Sequence, residues 1–126
     1  MAKRVFISFA IEDANFRGLL VGQAKNDRTP FEFVNMAVKE PWDEKWKTQC
    51  RTRIKGCDGM IALVSKHTSI ATGQLWEIKC AREEKVPVRG VYVSSDQRPT
   101  SLPKELEGVR VVNWSWDNIK SFIDSL

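Results

Sequence analysis

Short apolar runs alternate with amphipathic stretches along the whole chain. Val5-Phe6-Ile7-Ser8-Phe9 reads as a first strand. Glu12 and Asp13 then open a helix carrying Phe16, Leu19 and Leu20 at helical spacing, which ends near Asn26-Asp27, before Pro30. Phe31 to Val34 forms a second strand, partly alternating as a sheet edge tolerates. A loop from Asn35 to Trp42 leads into a second helix with Asp43 and Glu44 in its first turn, where carboxylates suit the positive end of the helix dipole. Trp46, Cys50, Ile54 and Cys57 recur at spacings of four, four and three, one buried stripe, while Lys47, Arg51 and Lys55 line another face.

Asp58-Gly59 breaks that pattern. Met60 to Val64 is a continuous apolar run, the signature of a central strand covered on both faces. Ser65 to Thr72 is a polar loop with Thr72 as N-cap, and Gly73 to Lys85 a third helix. Pro87 to Val93 and Val109 to Trp114 are the last two strands, with a short helix near Pro103 to Leu106 between them. Trp116 to Leu126 is a terminal amphipathic helix. Five strands separated by helices in 126 residues predict right-handed crossovers and an α/β, flavodoxin-like three-layer sandwich. Its five-stranded parallel sheet has order 2-1-3-4-5. Ligands of such sheets sit outside the carboxyl ends of the strands where the crossovers diverge, here between strands one and three. The loops after Phe9 and Val64 and the start of the third helix flank that crevice.

Composition adds exclusions. The length suits one domain spanning 1–126, and 42% apolar with 29% charged residues is a globular balance. A net charge of +4 is too mild to indicate nucleic acid. Cys50, Cys57 and Cys80 lack paired metal-ligand spacing and read as reduced, buried thiols, and His67 is the one histidine, so neither a zinc site nor another metal site is expected. No apolar stretch approaches membrane-spanning length and the N-terminus lacks a signal-peptide core, which predicts a soluble, cytoplasmic protein. No GxGxxG or Walker motif is present, the loop after the first strand lacks the glycine of a flavin phosphate loop, and Ser65-Lys66 stands where a receiver domain needs an acidic phosphoacceptor.

Glu77 is the candidate catalytic residue on position, in the first turns of the helix after the central strand, leaning toward the crevice mouth. With Leu75 and Ile78 facing the sheet, Glu77 falls about 100° from Ile78, on a flank that is reachable without being freely solvated. A dipole-stabilised surface glutamate is the plainer alternative. Trp76 either stacks on a ligand ring or packs as partial core. His67 reads as an exposed loop residue, the Lys47-Arg51-Lys55 stripe as a solvated face, and Trp114 and Trp116 as packing for the last strand and helix.

Arg4 to Phe9 followed by Glu12-Asp13 resembles the first box of TIR domains. The segments Ile61-Ala62-Leu63-Val64-Ser65, Trp76-Glu77-Ile78-Lys79-Cys80-Ala81 and Pro87 to Tyr92 are similar, in register, to the TIR-like family that includes the Thoeris anti-phage proteins. Gly73 and Gln74 stand where many TIR domains carry a Trp-Cys pair. The resemblance implies an enzyme that cleaves the nicotinamide glycosidic bond of NAD, its catalytic glutamate at Glu77, with NAD as substrate and no cofactor. It also implies that Phe6, Ser8, Phe9, Ser65 and Trp76 border the nucleotide. The expected product is a cyclic ADP-ribose isomer, a messenger reaching a separate effector after an unidentified phage trigger, with self-association through the Asn35 to Trp42 loop and no nucleic-acid or membrane partner. Rival readings are a noncatalytic TIR-like interaction module and a nucleoside deoxyribosyltransferase-like enzyme.

Overall fold

In a computed structural model, which describes residues 3–26, 31–36 and 39–126, the strands are β1 (Lys3–Ser8), β2 (Phe31–Val34), β3 (Gly59–Val64), β4 (Val88–Tyr92) and β5 (Val111–Asn113). The helices are α1 (Ala14–Asn26), α2 (Glu44–Lys55), α3 (Thr72–Glu83) and α4 (Trp116–Asp124). All strand pairings are parallel and the order is β2-β1-β3-β4-β5, the flavodoxin-like arrangement expected. Every residue of β3 is buried, because helices cover both faces of the sheet.

Alternation along β1 sends successive side chains to opposite faces. Val5 and Ile7 join Ile61, Leu63, Leu20, Ile119 and Phe122 in the core beneath α1 and α4. Phe6 joins Met60, Ala62, Val64, Trp46, Cys50, Ile54 and Ile78 in the core beneath α2 and α3. The same alternation aims Ser8, the last residue of β1, at the α2–α3 layer.

Helix α2 starts on Asp43, whose carboxylate accepts from the Lys45 N–H at 2.8 Å and the Trp46 N–H at 3.2 Å. Its apolar stripe is buried as predicted, with Cys57 just beyond the helix end. Burial raises the thiol pKa of all three cysteines, Cys57 and Cys80 to about 11. Arg51 leaves the expected solvated face to pair with Glu83 at 3.0 Å and Glu84 at 2.5 Å, tying α2 to the end of α3.

Several expected details differ. A 3-10 turn, Ile11–Asp13, precedes α1, and Leu19 is 60% exposed because Leu20 and Ala24 supply the buried face. Thr72 is the first residue of α3 and makes no capping bond; a 3-10 turn at Thr68–Ile70 leads in instead. Strands β4 and β5 are shorter than the apolar runs that suggested them, and α3 closes at Lys85, whose φ of 59° is left-handed. The expected first-helix end at Asp27 and Pro30 lies outside the described residues, as do Ala37 and Val38 of the loop before α2. Among the described residues no helix is long and apolar enough to cross a membrane.

Candidate active site

The carboxyl ends of β1 and β3 and the first turns of α3 meet at Glu77, which is 0% exposed. That corrects the flank position expected from sequence. Helix α3 buries Gln74, Glu77, Ile78 and Ala81, a regular three-and-four stripe, and leaves Leu75 half-buried. The apolar Leu75 suggested one helix rotation; packing adopts another, which turns two polar side chains inward.

A buried carboxylate needs partners. The Ser8 hydroxyl donates to Glu77 Oε1 at 2.8 Å, and the Lys39 ammonium donates to Oε2 at 2.8 Å. Cys50 Sγ lies 3.9 Å from the same Oε2. Lys39 is itself 8% exposed, and its ammonium sits 4.3 Å from the centre of the Phe9 ring. Burial is the largest influence on the carboxyl and raises its pKa from 4.5 to about 7; Lys39, Ser8 and Cys50 pull it back down. Glu77 is thus poised to change protonation near neutrality, as general acids, bases and charge stabilisers often are.

Above this pair a cleft of about 250 Å³ opens to the surface, lined among others by Phe9, Glu12, Lys39, Trp42, Ile70 and Gln74. Lys39 stands in its wall and also holds Glu77, so it separates the cleft from the carboxylate. The stem of Lys39 packs on Gly73, where a Cβ would lie 2.7 Å from the Lys39 Cβ. A larger hollow of about 610 Å³, between α1 and Trp114, lies away from these residues.

The expected site residues fall in four places. Ser8 and Phe9 meet Glu77 or its cleft. Phe6 is fully buried beneath α2 and α3 and does not line the cleft. Ser65 is fully buried one step away, where its hydroxyl donates to the buried Asp13 carboxylate and accepts from the His67 N–H at 3.0 Å. Trp76 is half-buried, edge-on to Trp46 with ring centres 5.4 Å apart and Arg51 over its ring, also away from the cleft. Trp114 and Trp116 pack against Phe16 and Phe31, each 6.4 Å away. His67 is a loop residue 3.9 Å from Glu12.

Lys39 and Gln74 are site residues that sequence reasoning missed. Lys39 is remote from Glu77 in sequence, in a loop without periodicity. Gln74 carried one signal, its three-residue spacing before Glu77. Among the described residues no group of three His, Cys, Asp and Glu side chains converges on a metal position.

The family description "Thoeris protein ThsB, TIR-like domain" matches residues 6–98, more than half of the chain. No curated protein matches the sequence. Among solved structures, a 3-dehydroquinate dehydratase-like protein from Bifidobacterium longum is similar at 12% identity and a TM-score of 0.53, over 99% of this chain and 94% of that one. That likeness is one of fold.

Proposed function

From the premise that the chain belongs to the TIR-like family of Thoeris ThsB proteins, we propose that it is an NAD-cleaving ADP-ribosyl cyclase of antiviral defence. It releases nicotinamide and closes the remaining ADP-ribose into a cyclic isomer, a messenger for a separate effector protein. The observation that carries this reading is one enclosed carboxylate, Glu77, held by Ser8 and Lys39 beneath a cleft at the switch point of the sheet.

One carboxylate suffices for this chemistry. Ordinary glycosidases need a second carboxyl group to protonate the leaving alkoxide. In NAD the ring nitrogen is already cationic, so when the C1′–N bond breaks its electron pair neutralises the ring and nicotinamide leaves without a proton. Positive charge develops on the ribose. Glu77, ionised and poorly solvated, stabilises that oxocarbenium-like sugar far better than a carboxylate in water does. A nitrogen or hydroxyl of the same molecule then attacks C1′ and sheds its proton where it carries one; attack by water gives linear ADP-ribose instead. Cyclisation requires a folded substrate and exclusion of water.

Glu77 reaches the ribose only once the Lys39 ammonium has moved off Oε2, so the arrangement described is a closed form. In this reading Lys39 moves aside when self-association or a phage trigger acts at the exposed Trp42 nearby. The complete enclosure of Glu77 also favours a second reading, a noncatalytic interaction module in which the Lys39–Glu77 pair is structural. Mass analysis of nucleotides from infected cells expressing wild type or Glu77→Gln separates the two. The proposal expects nicotinamide and a cyclic ADP-ribose isomer in wild type only. A product unchanged in a folded Gln variant, or no product from wild type during successful defence, overturns it. Purified protein given a deoxynucleoside in parallel tests for deoxyribosyl transfer.

A further inference from the structure

Gln74 stands one helical turn before Glu77 on the buried stripe of α3 and is 1% exposed. Its Nε2 donates to the carbonyl oxygen of Leu63 at 2.7 Å and to that of Ser8 at 3.2 Å. With both amide hydrogens held by backbone carbonyls at the ends of β3 and β1, the orientation of the amide is fixed. A flipped amide would press its oxygen against those two carbonyls. Oε1 is therefore an immobilised acceptor, and it is buried with no donor among the described residues. Buried polar atoms are nearly always satisfied, and Gln74 lines the cleft, so this acceptor is placed for a donor admitted when Lys39 moves off Glu77.

We propose that Gln74 reads the leaving group, its carbonyl oxygen accepting an N–H of the carboxamide on the substrate's pyridine ring. This assignment rests on the NAD-cleaving reading. An acceptor without a proton to give repels phosphate and carboxylate oxygens and selects a hydrogen-bond donor. Near the scissile bond the substrate offers such donors on the ribose and on the carboxamide. Glu77 and Ser8 take the ribose side. Gln74, one turn nearer the helix start and in the cleft wall with Phe9, is left to face what lies outward of C1′, which is the ring. The requirement is specific: nicotinamide carries the donor, whereas nicotinate presents only charged acceptors.

Binding of free nicotinamide and free nicotinate to the full chain by ligand-observed NMR, in the wild-type background and with Lys39→Met removing the ammonium that closes the site, tests the assignment without turnover. Cleavage of NAD and of its nicotinic acid analogue is measured in parallel. Wild type is expected to favour the carboxamide about tenfold or more in both assays, because a site built to hydrogen-bond a group rejects an analogue that leaves the site unpaired. Gln74→Met, checked for an intact near-ultraviolet spectrum, loses that preference. Equal binding of the two rings by wild type, binding of neither, or an unchanged preference in folded Gln74→Met overturns the assignment. Discrimination in binding with no cyclic product from infected cells during successful defence refutes the cleavage reading and leaves the role of Gln74 standing. Cleavage without discrimination does the reverse.

Discussion

Glu77→Gln should make the protein more stable at pH 8 while removing its activity. Burial holds the Glu77 carboxyl near 7 in the folded chain against an ordinary 4.5, so the folded state binds the proton more tightly than the unfolded state does. Stability linked to this group is fully present below about pH 4.5 and is lost as pH rises through about 7. At about 1.4 kcal/mol per pH unit, that interval corresponds to about 3 kcal/mol, a large share of the 5–15 kcal/mol that holds a typical domain together. Glutamine has nearly the shape of the protonated acid and keeps an acceptor for the Ser8 hydroxyl, but it never ionises. The gap between the two proteins should therefore be small and constant below pH 4.5 and widen in favour of the variant by about 3 kcal/mol by pH 8. Urea unfolding followed by fluorescence of the five tryptophans reads this as a midpoint difference growing by about 1–2 M. Groups remote from Glu77 are common to both proteins and cancel; Lys39, which loses its charged partner in the variant, is removed from the comparison by repeating it in a Lys39→Met background, where the gap should widen further. Parallel stability curves from pH 4.5 to 8 would refute the reasoning, since Glu77 would then have no elevated proton affinity in the folded state.

Lys39→Met removes the cation that draws the Glu77 pKa down, so the acid limb of the NAD-cleavage pH profile should move to higher pH, with activity recovering on the alkaline side; an unmoved limb contradicts the pairing of Lys39 with Glu77. Trp76→Ala removes an edge-on contact with Trp46 and should cost about 2–3 kcal/mol of unfolding free energy, with the KM for NAD preserved in the folded fraction; a raised KM at unchanged stability would place Trp76 at the ligand instead.

Topology was legible because it follows from local patterns. The run Met60 to Val64 has no polar position, and so identifies a strand covered on both faces, around which the order of the others follows. Glu77 was legible as a candidate because it lies in the first turns of the helix that follows that strand. Its environment was not. Leu75 is apolar and Gln74 polar, so hydrophobicity alone rotates α3 the wrong way, and the bonds of Gln74 to Leu63 and Ser8 and of Glu77 to Ser8 and Lys39 account for the rotation observed. Lys39 was hidden for a different reason: the ion pair spans 38 residues and belongs to a loop whose path no periodicity encodes. The cap expected at Thr72 failed similarly, because the turn at Thr68–Ile70, held by the Ser65 N–H donating to Thr68 Oγ1 at 2.9 Å, delivers the chain to the helix.

That turn belongs to a larger brace. Ser65 follows β3 directly and binds Asp13 at the entrance to α1, so the segments following two adjacent strands are fastened to each other across the end of the sheet. A hinge needs a weak side and a strong side, and this brace supplies the strong one. In the proposed departure of Lys39 from Glu77, none of the bonds joining Asp13, Ser65 and Thr68 has to break. Amide hydrogen exchange should accordingly divide the mouth of the cleft into a slow half around Asp13, Ser65 and Thr68 and a fast half around Lys39 and Trp42.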